Sequence, residues 1–163
     1  VYICEGYMDT IALYKAGINN AIALMGTAFT KEHLKVLKYL GVKIILTLDG
    51  DLLIHPDDMK SILECKGEFV SGGQIVTDDP WYVQITDEYN QEYVRAFSKV
   101  TGKYEWNGIT QLKSDKIREG TGHVFQLVEP WLPIPFFYVR THEIDTMNDL
   151  KKAKEWIVNG YKD

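Results

Sequence analysis

The chain has 163 residues, 45% of them hydrophobic and 25% charged, with a formal net charge of −5. This is the composition of a globular protein long enough to bury a core. No apolar run approaches the ~20 residues that a bilayer demands, so no membrane association is expected. The negative balance argues against a chain that grips nucleic acid by itself, because binding a polyanion rests on Lys and Arg neutralising phosphates. Lys31, Lys35 and Lys38, and further on Lys151, Lys152 and Lys154, alternate with acids and read as solvated helix faces.

Cys4 and Cys65 stand alone and read as small, mostly apolar side chains, which suits a reducing, cytoplasmic setting. The opening VYICEG has no basic segment and no cleavage pattern, so no signal peptide is expected. A start at Val1 suggests that the chain's first residues precede this stretch.

Val1–Cys4 predicts a short buried strand, followed by Glu5-Gly6. A helix is expected from Tyr7 to Ala16, with Ile11, Ala12 and Leu13 facing inward and Gly17 ending it. Ala21–Met25 reads as a second strand, broken at Gly26-Thr27. Thr30 is placed to cap a helix from Lys31 to Leu40, with Leu34, Leu37 and Leu40 at helical spacing and Gly41 as its stop. Lys43–Leu48 is a β-branched run typical of a strand buried on both faces of a parallel sheet. It ends on Asp49-Gly50-Asp51, at the carboxyl end where open α/β sheets hold ligands. Two carboxylates so close repel unless a cation lies between them, and hard oxygen ligands suit Mg²⁺ or Mn²⁺. An Asp-Gly-Asp turn without a metal is the plainer reading of the same residues.

The motif pieces Glu5-Gly6-Tyr7-Met8-Asp9, Gly26-Thr27-Ala28 and Asp49-Gly50-Asp51 give the stretch from Val1 to Asp51 its character: it resembles the TOPRIM domain of bacterial DNA primases. The resemblance implies metal-site roles for Glu5, Asp49 and Asp51, with Glu5 and Asp51 as catalytic carboxylates in phosphoryl transfer. It also implies Asp9 as a supporting acid and Gly26 and Thr27 as cofactor-binding positions. Taken without the family, Glu5 is an ordinary strand-end acid and Asp9 a first-turn residue complementing the helix dipole. The resemblance stops at Asp51, where primases continue with Lys-Ala-Gly.

From Gly50 the reading changes. A helix is expected near Pro56, with Asp57 and Asp58 in its first turn. Strands are expected at Glu68–Val76 and Trp81–Thr86, with a turn at Thr77–Pro80. Gln91–Phe97 and Val100–Trp106 predict a hairpin around Ser98-Lys99 or Thr101-Gly102. A helix is expected from Ser114 to Glu129, weakened by Gly120 and Gly122. Pro130, Pro133 and Pro135 impose an extended passage, Phe136–Arg140 is the last strand, and Thr146 with Asp149 forms a near capping box for a final helix. Leu150, Ala153, Trp156 and Ile157 are expected to face inward along it.

GDLLIHPDDMKSIL, FSKVTGKYEWNGITQL and HEIDTMNDLKKAKEWI together resemble the C-terminal half of nucleotidyltransferases acting on sugar phosphates or small phosphorylated alcohols. This implies that Asp51 and Asp145 bind the catalytic Mg²⁺, that Lys99 lies near the product phosphate, and that partners are a nucleotide or a phosphorylated small molecule. Glu143-Ile144-Asp145-Thr146 read alone is a helix start with favourable charge. The Gly-rich basic loop that such transferases use to wrap a triphosphate does not occur in these 163 residues.

The expected fold is a three-layer, doubly wound, mostly parallel (Rossmann-like) α/β sheet with an added antiparallel hairpin. It forms one domain, 1–163, made of a TOPRIM-like fragment (1–51) and a transferase-like fragment (52–163). The two share Asp-Gly-Asp with no linker between them, whereas natural fusions join whole domains through flexible segments. The expectation is therefore an engineered chimera with a residual acidic metal site (Glu5, Asp49, Asp51, Asp145) and little or no catalysis. A working Mg²⁺-dependent nucleotidyltransferase is the second reading, and a TOPRIM-type module acting on nucleic acid the third.

Overall fold

The computed structural model describes every residue except Gly26, Thr27, Glu119, Gly122, His123 and Asp163. In chain order the elements open with β1 (Tyr2–Cys4), α1 (Tyr7–Lys15), β2 (Ala21–Ala23), β3 (Ala28–Phe29), α2 (Lys31–Tyr39) and β4 (Ile44–Leu48). Next come β5 (Leu52–Ile54), α3 (Pro56–Glu64), β6 (Phe69–Gly72), β7 (Tyr82–Glu88), β8 (Gln91–Ser98) and β9 (Tyr104–Glu105). The chain closes with β10 (Thr110–Lys113), β11 (Gly120–Thr121), α4 (Val124–Val128), β12 (Ile134–Tyr138), β13 (Thr141–Glu143) and α5 (Met147–Val158), with single 3-10 turns at Ser114–Lys116 and Glu129–Trp131.

Nine strands form one sheet in the order β2-β1-β4-β10-β6-β12-β8-β7-β9. Strands β2, β1, β4, β6, β12 and β7 run one way, and β10, β8 and β9 run against them. The first fifty residues and the remainder therefore share one sheet. They are joined by β10, which lies antiparallel between β4 (Thr110↔Thr47) and β6 (Thr110↔Val70).

The apolar run of β4 is explained by what lies on either side. Ile45 joins one buried cluster, with Ile3, Leu37, Val70, Leu112 and Val128. Leu46 and Leu48 join the other, with Ile62, Phe69, Ile109 and Val139. Helices α2 and α4 thus cover one face of the sheet and α1 and α3 the other, giving three layers.

Helix starts follow local chemistry. Thr30 Oγ1 accepts from His33 N at 3.3 Å, and Thr146 Oγ1 accepts from Asp149 N at 3.2 Å while Asp149 Oδ2 accepts from Thr146 N at 3.0 Å. Pro56 opens α3 and the His55 ring accepts from Asp57 N. Gly17 (φ +87°) and Gly41 (φ +64°) follow α1 and α2 in the left-handed region, as expected of helix-ending glycines.

The structure corrects several expected elements. The hairpin is formed by β7 and β8, not by Gln91–Phe97 with Val100–Trp106. Its two turn residues, Tyr89 and Asn90, both have positive φ (52° and 66°), the geometry that matches strand twist, and β9 pairs instead with the other edge of β7. The single helix at 114–129 is replaced by a 3-10 turn, β11 and the short α4. Gly120 pairs with Phe29 of β3, a non-local bond that outweighs weak helix propensity, and Gly122 lies outside the described residues. The strand predicted over Glu68–Val76 is limited to Phe69–Gly72, and β5 and β13 were not expected as a pair. Ile11 and Ala12 of α1 face solvent, because that helix sits at the β2 edge of the sheet and only Leu13 reaches the core. Along α5, Ala153 and Trp156 are buried, whereas Ile157 is exposed.

Candidate metal centre

β4 delivers Asp49-Gly50-Asp51 at its carboxyl end, and the chain then leaves the main sheet as β5. Strand β13 lies antiparallel to β5, with Glu143 opposite Leu52, and Ile144 N donates to Asp51 O at 2.9 Å. Side chains two apart on an extended segment point the same way. Glu143 and Asp145 therefore both come beside Asp51. Candidate ligand atoms of Asp51, Glu143 and Asp145 all lie within 4.8 Å of one another, and among the described residues this is the group of three acids, histidines or cysteines close enough to hold a metal ion. Three hard oxygen donors with room for water suit Mg²⁺ or Mn²⁺.

Electrostatics tie further acids to this trio. Burial pushes the Glu143 carboxyl up to about 7, helped by Asp145, Asp51, Glu105 and Asp49. Burial likewise raises Asp49 to about 6, with Asp51 and Glu5 adding to it. Like charges crowded into a partly desolvated ridge favour the neutral form, or a cation.

Asp49 is set close against Gly108. That glycine has φ +78°, and an added Cβ would lie 2.0 Å from Asp49 Oδ2, so only glycine permits the approach. Gly50 is similarly near Asp9, where a Cβ would meet Oδ2 at 2.7 Å. Asp9 Oδ2 also accepts from Gly6 N at 3.0 Å, which makes it the first-turn residue that caps α1.

A cleft of ≈170 Å³ opens beside Asp49 and Glu143, walled by Trp81, Glu105, Trp106, Asn107 and Thr141. Glu105 is buried and accepts from the backbone N–H of Val76 (2.8 Å) and Thr77 (3.2 Å) and from the Thr77 hydroxyl. It braces the segment between β6 and β7 that forms one side of the cleft. Asn107 is held by Ser71 and donates to Val139 O at 3.3 Å.

Of the residues singled out from the sequence, Asp51 and Asp145 come together in the trio. Asp49 lies beside them against Gly108 and on the cleft wall. Glu5 is exposed at the end of β1 and acts on Asp49 through charge, outside the trio. Lys99 Nζ is 2.8 Å from the Asp79 carboxylate and 5.2 Å from the centre of the Trp81 ring, at the rim of the cleft. Gly26 and Thr27 lie outside the described residues. Sequence reasoning missed Glu143 as a candidate ligand. Its signal was present, since Glu143-x-Asp145 repeats the two-residue spacing of Asp49-x-Asp51. The bracing role of Glu105 had no local signal.

The comparisons with known proteins differ between sequence and fold. The family described as Toprim-like matches residues 2–52. The DNA primase of Lactococcus lactis is 57% identical over 51 residues, 31% of this chain and 8% of the primase. That of Helicobacter pylori strain J99 is 40% identical over 79 residues, 48% of this chain and 14% of the primase, a longer match than the stretch carrying the motifs. The chain thus spans a small fraction of the curated relatives it matches. In three dimensions it is similar to the inositol-1-phosphate CTP transferase of T. maritima, with a TM-score of 0.63 at 14% identity over 96% of this chain and 74% of that one. It is also similar to a CMP:2-keto-3-deoxy-manno-octonic acid synthetase complexed with CTP, with a TM-score of 0.60 at 18% identity over 98% of this chain and 81% of that one. By sequence the first third is similar to primases; by fold the whole chain is similar to nucleotidyltransferases.

Proposed function

We propose that this chain is a composite, divalent-metal-binding α/β protein, joined by recombination within one sheet, with Asp51 as the ligand that both sources supply. The observation that carries the reading is the closure of Asp51 at the end of β4 onto Glu143 and Asp145 of the far segment, within 4.8 Å. Bound there, Mg²⁺ or Mn²⁺ would neutralise phosphate charge and orient an attacking oxygen. The chain's own contribution is positional. β4 and β13 fix the carboxylates, Gly108 lets Asp49 approach, and Glu105 holds the cleft wall.

Turnover by this chain alone is expected to be slight. Where a transferase needs basic groups around a triphosphate, the end of β1 instead presents Glu5 and the capped Asp9, which repel phosphate. The two unpaired cysteines fit a reducing compartment and we place the chain in the cytoplasm. Among the described residues no helix is long and apolar enough to cross a membrane.

The test is a titration of metal-free protein with Mn²⁺ followed by electron paramagnetic resonance. One saturable site that disappears in Asp51→Asn and in Asp145→Asn is the expected result. Binding that survives both variants would overturn the assignment.

A second reading is a Mg²⁺-dependent transferase moving a nucleotidyl group from CTP or another NTP to a phosphorylated alcohol or sugar. It is favoured by the cleft beside the trio and by the transferases that share the fold. Pyrophosphate release that requires both NTP and acceptor would establish it.

A further inference from the structure

A second cavity, of ≈300 Å³, lies between the end of β12, β13 and helix α5. It is separated from the acidic cleft by a wall shared through Gln74, Val76 and Thr141. Its charge is the reverse of the cleft's. Arg140, Lys152 and Lys162 line it against the single carboxylate of Glu155, on a chain whose formal net charge is −5.

Each cation is placed differently. Arg140 is fixed: its Nε and Nη2 donate to Asp58 at 2.9 and 2.6 Å, and its backbone N–H donates to the same carboxylate at 2.8 Å. A guanidinium held in this way keeps its charge in one position, so less side-chain entropy is lost when a ligand arrives. Lys152 is 3.9 Å from Asp149, a loose contact on an exposed surface, and Lys162 makes no ion pair among the described residues. The wall contributed by Trp156 is rigid, because that ring is buried and packs edge-on against His55 and Tyr161. A guanidinium held by Asp58, two exposed ammonium groups and a firm apolar wall make a concave site for an anion with a small organic part.

We propose that this cavity binds the phosphate group of a small phosphomonoester, or inorganic phosphate, independently of the metal trio. Its volume is at the lower end of the range for small-molecule sites, roughly 300–1,000 Å³. Three cationic side chains around so small a cavity match a compact dianion better than an extended polyanion.

The test is calorimetric titration of the full chain with glycerol phosphate in EDTA at constant ionic strength, so that the metal centre takes no part. One saturable site is expected, weakened at least tenfold in Lys152→Gln/Lys162→Gln and unchanged in Lys35→Gln on α2. Both lysines are exposed, and a circular dichroism melt of the double variant confirms that it folds. A parallel titration with inorganic phosphate separates the sources: equal affinity assigns the site to free phosphate, and tighter binding of the ester assigns it to the phosphomonoester. Absence of saturable binding, binding undiminished in the double variant, or equal weakening by Lys35→Gln would overturn the proposal. Because metal is excluded, a failure here is distinct from a failure of the Asp51 centre.

Discussion

The first fifty residues and the rest of the chain meet in one sheet but cover it unequally. In the first region the strands are well buried, with Ile3, Ile45 and Leu46 each at 4% exposure or less, while α1 buries no residue and α2 buries Leu37 alone. Tyr7, Met8, Ile11 and Tyr14 of α1 and Val36 and Tyr39 of α2 face solvent. In the second region α3 and α5 bury Ile62, Ala153 and Trp156, and β6 is buried along its whole length. On the composite reading proposed above, the difference marks which part of an α/β unit can be exchanged. Strand spacing and crossover hand are common to doubly wound sheets, and the Toprim-like β-α-β-α-β unit shares one sheet with the rest of the chain. Helix exteriors carry no such common standard.

Unfolding measurements sharpen that contrast, and the largest effect belongs to the second region. Ile62→Ala on α3 removes a side chain with 1% exposure and should cost about 2–5 kcal/mol in urea denaturation. A cost below about 1 kcal/mol would show that the layer under α3 is loosely packed. Next comes Arg140→Gln. It leaves the partly buried Asp58 without its two-point partner and should cost about 1–3 kcal/mol near pH 7. Burial pushes the Asp58 carboxyl up, but hydrogen bonds from Arg140 outweigh this and hold it below the usual 3.8. The pair's contribution is therefore present above pH 3.8 and is lost as pH falls, so the gap between wild type and variant should shrink in acid.

Gly108→Ala tests the seam itself. The residue has φ +78° and its Cβ would meet Asp49, so a loss of about 1–3 kcal/mol is expected in the same assay. Metal dependence follows. Asp49 and Glu143 are raised from 3.8 and 4.5 to about 6 and about 7, so the stability they contribute is complete below the lower values and lost as pH rises through the higher ones. A cation offsets that loss. Mg²⁺ at ten times its Kd should stabilise by about 1.4 kcal/mol, and the rise in Tm should be larger at pH 8 than at pH 5. The smallest effect returns to the first region: Ile11→Ala on the open face of α1 should change stability by no more than about 0.5 kcal/mol.

What could be read from the sequence was what is decided locally. Thr30, Pro56 and Thr146 announce α2, α3 and α5 because capping involves residues three apart. β4 was legible because burial on both faces leaves an unbroken apolar run. Non-local pairings were not legible. β10 inserts between β4 and β6 although it lies more than sixty residues beyond β4, and β13 finds β5 across a still longer stretch of chain. The β7–β8 turn at Tyr89-Asn90 was hidden behind the more obvious Thr101-Gly102. The same limit shaped the reading of the site. The motifs supplied Asp51 and Asp145, and the Glu5–Asp49–Asp51 set came from the first-region resemblance. Glu143 became visible only when β13 was seen to lie along β5.

The most direct test of the account is a crystal soaked in Mn²⁺ and measured for anomalous scattering. The account predicts one peak in the space enclosed by Asp51, Glu143 and Asp145, joining a ligand from the first region's strand to two from the second region. A peak between Glu5 and Asp49 with none beside Glu143 would contradict it and return the metal site to the first fifty residues alone.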